Sequence, residues 1–389
     1  MSPSNASFDQ RAVSVQGTGY PAEPDAGART AAVRAAVARL GAGDFHDRWE
    51  QLRQVADLGE AALADLLAML KDDDQDWEAR WFAARLLGEL NDAQVIPALI
   101  DTFAATTDEE LRQAVATALT QIGPPAIAAL GQQLADPRLR PMAVQALARI
   151  HHPDTVPLLL EALEDGRSPV RATALSALSA FAHPSIWPAV QRSLEDVAAP
   201  VRLAAIRGLL GLRSQLSAAA LIQALTPRLW DQDLGVAQQA AYALGRLAIA
   251  AAAAPLIQRL QAPSLPEAVQ ICAAQALAWQ QTPAALAGLT QTWDSLGEQA
   301  RAAAVQGLAA VAPALKLQTA LALSTWLEAL PATPAHAPLR CHLVLALGQM
   351  GDLAQEPALR SLLNDAEPSV RLHAEAALRQ LRADACRAL

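Results

Sequence analysis

Few residues in this chain have the type and spacing to do chemistry, and most lie in its C-terminal third: Cys272, the pair Cys341-His342, His373 and Cys386. Thiolates and imidazoles ligate zinc, and thiolates hold iron–sulfur clusters. A mononuclear site needs its ligands in one coordination sphere. Cys272, His342 and His373 instead occupy the same register position in three separate repeats of the chain, and an intervening repeat carries Ala303 there. Each is expected as a packed core residue. Cys341 falls one position earlier, on a face expected to point outward. It stands beside Arg340, whose charge lowers a thiol's pKa. Cys386 is expected to be accessible near the C-terminus. The chemistry this leaves is a shared iron–sulfur cluster with Cys341 and Cys386 as ligands. Two thiols are too few to hold one, so other ligands would come from a partner. No metal site is expected within the chain itself.

Elsewhere catalytic constellations are missing. There is no Gly-rich phosphate loop, no nucleophile elbow and no CxxC. His151, His152 and His183 lie beside or near Pro in turns, where they punctuate helices. No catalytic residue is assigned.

The elements that must position these residues follow from a recurring line. VRATALSALSAF at 170–181 returns as VRLAAIRGLLGL at 201–212 and as VRLHAEAALRQL at 370–381. Aligned on the Val or its equivalent, the next residue is Arg80, Arg112, Arg140, Arg171, Arg202, Arg301, Arg340 or Arg371, with Ala237 and Gln270 in the two remaining copies. An Ala-Leu or Leu-Leu pair follows seven and eight positions after the Val. A period near thirty residues specifies stacked helix pairs. The expected fold is all-α: an α-solenoid of about eleven antiparallel pairs (roughly one per period), wound as a right-handed superhelix. First helices are expected near Ala61, Asp92, Pro124, Asp154, Pro184, Ser217, Ala250, Pro283, Pro313 and Asp352, after an atypical first pair over 28–58. The solenoid should span residues 27–382, between an N-terminal arm (1–26) rich in Ser, Gly and Pro and a short tail (383–389).

Acidic residues mark the turns within pairs: Asp74, Asp108, Asp136, Asp165, Asp196 and Asp365. Two structural roles for the Arg column follow, an ion-pair ladder between adjacent units or local bonds to helix carbonyls. The Pro-rich segment 330–338 stretches one Arg spacing and is expected as a stiff protruding loop.

Composition narrows function. Hydrophobic residues make up 52 % of 389, with only two Tyr and five Phe, so Ala and Leu carry the core. A net charge of −9 opposes nucleic-acid binding and attraction to anionic membranes. No apolar run is long enough to insert in a membrane. No secretory h-region is seen, and three Cys make no disulfide framework, so a cytoplasmic location is expected.

The segment from Asp165 to Leu178, with Pro169, Val170, Arg171, Ala174 and Ala177, resembles the HEAT-repeat superfamily, in particular the HEAT-like repeat of phycobilisome lyases. The resemblance covers about 27–382. It implies a protein-binding solenoid, an interaction scaffold or assembly factor. Within that lyase-like group, the stretch 74–90 and the LHAEAAL ending are similar to cyanobacterial HEAT-repeat proteins that partner an A-type iron–sulfur scaffold. The implied partners are therefore a phycobiliprotein subunit or an iron–sulfur scaffold protein, with a transient bilin or a shared cluster as the only cofactors. A bilin lyase or chaperone subunit is the enzymatic alternative. The His-Glu pairs by which HEAT-repeat di-iron hydroxylases bind metal do not occur here.

In solenoids of this kind the second helices line the concave surface. At 100° per residue, positions two, five and six after the Val point away from the core stripe. Several carry apolar or hot-spot residues: Trp81, Arg85, Leu203, Ile206, Arg207, Tyr242, Ile271, Leu345 and Leu372. Two readings stand: a partner-binding groove, or side chains tucked against the neighbouring unit.

Overall fold

The computed structural model describes residues 26–388 apart from 43, 182, 184, 310 and 311. The arm expected over 1–26 therefore lies outside the described residues, except for Ala26, which opens the first helix. Among the described residues there are 22 α-helices, ten short 3-10 turns and no strand. They alternate as eleven antiparallel pairs, and first helices begin within a few residues of the expected positions. The last helix, Pro368–Ala388, runs past the boundary at which a tail was expected.

The described residues form two compact units, divided between residues 129 and 130. In the first unit, the helix Glu109–Ile122 shows how local sequence makes each element. Asp108 caps it, accepting from the Leu111 backbone N–H at 2.8 Å, and Glu109 and Glu110 complement the helix dipole. Leu111, Val115, Ala118, Leu119 and Ile122 recur at three- and four-residue steps and are buried. Each Leu so buried contributes about 1.5–3 kcal/mol. Gly123, at φ +77°, ends the helix, and Pro124-Pro125 starts the next element.

Second helices pack on second helices along each unit. The approach is very close where a Gly meets an Ala of the next pair. In the second unit, a Cβ on Gly245 would stand 2.8 Å from the Ala276 Cα and 2.9 Å from its carbonyl oxygen; Gly348 meets Ala377 in the same way. In the first unit Gly88 abuts Ala118.

The Arg column performs both of its expected roles at once. Arg171 donates to the Asp165 carbonyl of its own turn at 2.8 Å and, in bidentate fashion, to the Asp196 carboxylate of the next pair at 2.8 and 2.7 Å. Arg202 repeats this with the Asp196 carbonyl and Asp231. Arg140 reaches the Leu134 carbonyl and Asp165. The ladder is not continuous. Arg80, Arg112, Arg301 and Arg371 hold carbonyls of their own turns without a carboxylate of the next pair. Of the acids, Asp74 is exposed while Asp73 pairs with Arg80, Asp108 only caps its helix, and Asp136 holds Arg138. Gln270 substitutes for Arg by accepting from Gly297 N–H and donating to the Ser295 carbonyl.

Arg340 departs from the pattern. It is buried with Asp365, yet its Nε and one Nη have no hydrogen-bond partner. The segment expected as a protruding loop is exposed at 331–335, then folds into a 3-10 turn, Pro334–His336.

Candidate protein-binding surface

The structure separates the three positions expected to face outward. The position five after the Val is buried at Ala84 and Ala116 in the first unit, and at Val144, Leu175, Ile206, Ala241, Ala274, Val305 and Val344 in the second. Ile206 is therefore core, not surface. The reason is the side-by-side stacking of second helices, which covers a flank that an isolated helix would expose. The position two after is mostly half-buried, as at Trp81, Leu203 and Ile271, whereas Leu372 in the last helix is 62 % exposed. The position six after is the open one: Arg207 and Leu345 are exposed, Arg85 and Tyr242 partly so.

Cys341 is corrected for a related reason. It is 8 % exposed, within the apolar core, so no outward thiol stands there. The Cys386 backbone continues the last helix, and its side chain lies outside the described residues. Cys272 is also buried, which pushes its thiol pKa up. His373 is tied to the Ser369 carbonyl, and His342 lies near Gln306. Among the described residues no three His, Cys, Asp or Glu stand together as a metal site. Of the two candidate cluster ligands, Cys341 is thus buried and Cys386 lies outside the described side chains.

In the second unit, Leu203 and Arg207 border a shallow depression of about 540 Å³ floored by Ala172, Thr173 and Ser176. Tyr242 stacks on Trp279 at 5.4 Å, and its hydroxyl shares a hydrogen bond with the Cys272 sulfur at 3.0 Å, in which the phenol proton is held toward sulfur. That hydrogen bond, together with burial, pushes the Tyr242 pKa up to about 12.

The most developed surface is in the first unit, and half of it was not anticipated from sequence. The helix Phe45–Asp57 exposes Phe45 (54 %) and Trp49 (48 %), and the helix Trp77–Leu90 exposes Trp77 (40 %) beside the half-buried Trp81. Phe45, Trp49 and Trp81 all pack around the buried Phe82, with ring centroids 5.6, 6.3 and 5.0 Å from it. The Arg85 guanidinium lies 5.3 Å from the Trp49 ring and 5.8 Å from the Trp81 ring, and Glu89 holds it at 3.4 Å. Beneath, Arg48 is 4 % exposed and ties the two helices together through Asp76 and Glu78. Burial raises the Asp76 pKa, but the Arg48 bonds and the helix N-terminus outweigh it and hold the carboxyl below its usual range.

A sequence signal for this surface existed. Asp44-Phe45, Arg48-Trp49 and Arg53 recur 32 residues later as Asp76-Trp77, Arg80-Trp81 and Arg85. The atypical first pair is thus a phased copy of the second. Both aspartates cap their helices, so both aromatic rows start at the same height.

No helix among the described residues is long and apolar enough to cross a membrane. A family model described as HEAT repeats matches residues 63–138, 127–210 and 218–309, more than half of the chain. One described as PBS lyase HEAT-like repeat matches 339–365. No curated protein matches. Among solved structures, the chain is similar to the karyopherin Kap121p bound to the extreme C-terminus of the protein phosphatase Cdc14p, with TM-score 0.61 and 14 % identity over 90 % of this chain and 46 % of that one. It is also similar to Kap95p in a structure with RanGDP, with TM-score 0.58 and 14 % identity over 92 % and 55 %. The chain spans about half the length of these karyopherins, and at that identity the likeness speaks for fold alone. Phased helix pairs, the Val-Arg line and the matched models lead to one assignment: the chain belongs to the HEAT-repeat family.

Proposed function

We propose that this protein is a non-catalytic interaction scaffold, an assembly factor that grips a partner protein on the open edges of its second helices. The observation that carries the reading is the platform of exposed Phe45, Trp49 and Trp77 with half-buried Trp81, capped by Arg85 against Trp49 and Trp81. Trp, Tyr and Arg dominate binding hot spots, and an exposed aromatic cluster held rigid by a buried Arg48 is pre-ordered for contact. Leu203, Arg207, Tyr242, Ile271, Leu345 and Leu372 would supply further contacts in the second unit.

The PBS lyase HEAT-like match at 339–365 favours a phycobiliprotein subunit as the partner. It equally favours a role in presenting that subunit for bilin attachment, with the bilin as cargo. The cluster-sharing alternative loses Cys341, which is buried.

The test is affinity capture by the tagged chain from its own host, with mass spectrometry and an absorbance spectrum of the eluate. A double variant, Trp49→Ala with Trp81→Ala, should lose the partner by about 30-fold or more while keeping its helical circular dichroism, since even one hot-spot truncation removes about 2 kcal/mol. A folded double variant that captures the same partner undiminished would sink the assignment. Phycobiliprotein subunits with a bilin band would establish the antenna-related reading.

A further inference from the structure

Resting on that scaffold reading, we infer that the platform of the first unit receives a basic polypeptide segment, with apolar residues or prolines seated on the aromatic rows and Lys or Arg side chains over their N-terminal end. The exposed rows carry Arg85 against Trp49 and Trp81 toward their C-terminal end and are strongly acidic at the other. Around the starts of the helices Phe45–Asp57 and Trp77–Leu90, the stretches 44–50 and 71–80 carry eight carboxylates against three fixed cations, Arg48, Lys71 and Arg80. Two of those cations are consumed within the fold. Arg48 is buried between Asp76 and Glu78, and Arg80 is held by Asp73 at 3.0 Å and the Leu70 carbonyl. Asp72 and Asp74 remain exposed on the turn and accept no cationic side chain.

An apolar ledge ending in uncompensated carboxylates selects its occupant by charge. A basic segment gains Coulomb attraction over a Debye length of about 8–10 Å and adds cation–π contact with the exposed Trp77 ring at the acidic end. An acidic segment is repelled at the same place, as is nucleic acid. The geometry also suits extended chain. Aromatic-lined grooves are the usual seat of Pro-rich segments, which enter with little conformational entropy left to lose. Phe45 and Trp49 are four residues apart on one helix, Trp77 and Trp81 four apart on the next. The two rows thus form a double rail for a chain running along the helices.

The experiment uses the full chain and three acetylated, amidated twelve-residue peptides: one alternating Pro, Leu and Arg, one with Glu in place of every Arg, and one with Gln. Isothermal titration at low and moderate salt reads the affinity. The Arg peptide should bind at least tenfold more tightly than the Glu peptide, with the Gln peptide between them, and raising salt should narrow the gap. Trp49→Ala should weaken the Arg peptide tenfold or more. The pair Asp72→Asn with Asp74→Asn, confined to an exposed turn, should weaken only the Arg peptide, by about threefold to tenfold, which guards against misfolding as the explanation. Equal affinities for Arg and Glu peptides, or binding indifferent to Trp49→Ala, would overturn the inference. A concentration-dependent dimer that Trp49→Ala abolishes would also overturn it, because a second copy would then be the occupant. If Trp49 and Trp81 prove essential for partner capture while the two Asn substitutions change nothing, the scaffold reading stands and this inference falls.

Discussion

Replacing Gly245 with Ala and Gly208 with Ala adds the same methyl group to two buried helical positions, yet the structure sets opposite signs. In both helices Ala is favoured over Gly by about 1 kcal/mol, because Gly surrenders more backbone entropy. At Gly208 the new Cβ would meet only the Val190 Cγ2 at 3.4 Å and the Ser179 Cβ at 3.6 Å, ordinary contact distances. The propensity gain is kept, and Gly208→Ala should stabilise by about 0.5–1 kcal/mol. At Gly245 the Cβ would stand 2.8 Å from both the Cα and the Cβ of Ala276 and 2.9 Å from its carbonyl oxygen. Two of those three atoms are backbone, so no rotamer change relieves the clash and the second helices must part. Overpacking of this kind costs about 1–3 kcal/mol, and rigid backbone on both sides places the value near the top of that range. After the propensity gain, Gly245→Ala should destabilise by about 1–2 kcal/mol. The two variants should therefore differ by roughly 2–3 kcal/mol. Urea unfolding followed by far-ultraviolet circular dichroism measures this. The midpoint should rise for Gly208→Ala and fall for Gly245→Ala, with similar slopes. Two midpoints shifted in the same direction would refute the claim that Gly-to-Ala contact sets the spacing of adjacent units.

Two further outcomes depend on pH. The Arg167 guanidinium holds the Asp165 carboxyl well below the usual carboxylate range; burial works against this, and Arg140 adds to it. A depressed folded-state pKa adds stability that is fully present above the unfolded value near 4 and is lost progressively as pH falls from there through the much lower folded value. Asp165→Asn should accordingly cost about 1–3 kcal/mol at pH 7, a deficit that starts to shrink as pH falls below about 4 and disappears only once Asp165 protonates in the folded chain, read from thermal midpoints across pH; a deficit constant with pH would contradict the ion-pair account. The raised Tyr242 pKa, about 12, carries the opposite sign. Its stabilisation is complete below the unfolded value near 10 and disappears as pH rises toward 12. Absorbance titration near 295 nm should show a tyrosine that ionises late in the native chain and earlier in Cys272→Ala, and identical curves would remove the Cys272 hydrogen bond as the cause.

The sequence by itself determined the helix pairs, their number and, to within a few residues, where the first helices begin. These features are written locally: caps such as Asp108, stops such as Gly123-Pro124, and the buried Leu111–Leu119 face each depend on residues within one or two turns. Periodicity then multiplied the signal, which is why the Arg column could be named residue by residue. The tertiary structure alone decided which outward positions are surface. Ile206 and Cys341 look free on a single helical wheel, but a neighbouring second helix covers the flank at Ile206, and Cys341 is taken into the core. Wheel geometry knows a helix's own core stripe and nothing of the helix beside it. The same limit hid Arg48 and Trp49: their 32-residue phase with Arg80 and Trp81 is visible in the chain, but only packing brings Trp49, Trp81 and Arg85 into one platform. Local order follows from short-range chemistry, whereas a binding surface is made of residues from separate helices, and its membership is fixed only when those helices stack.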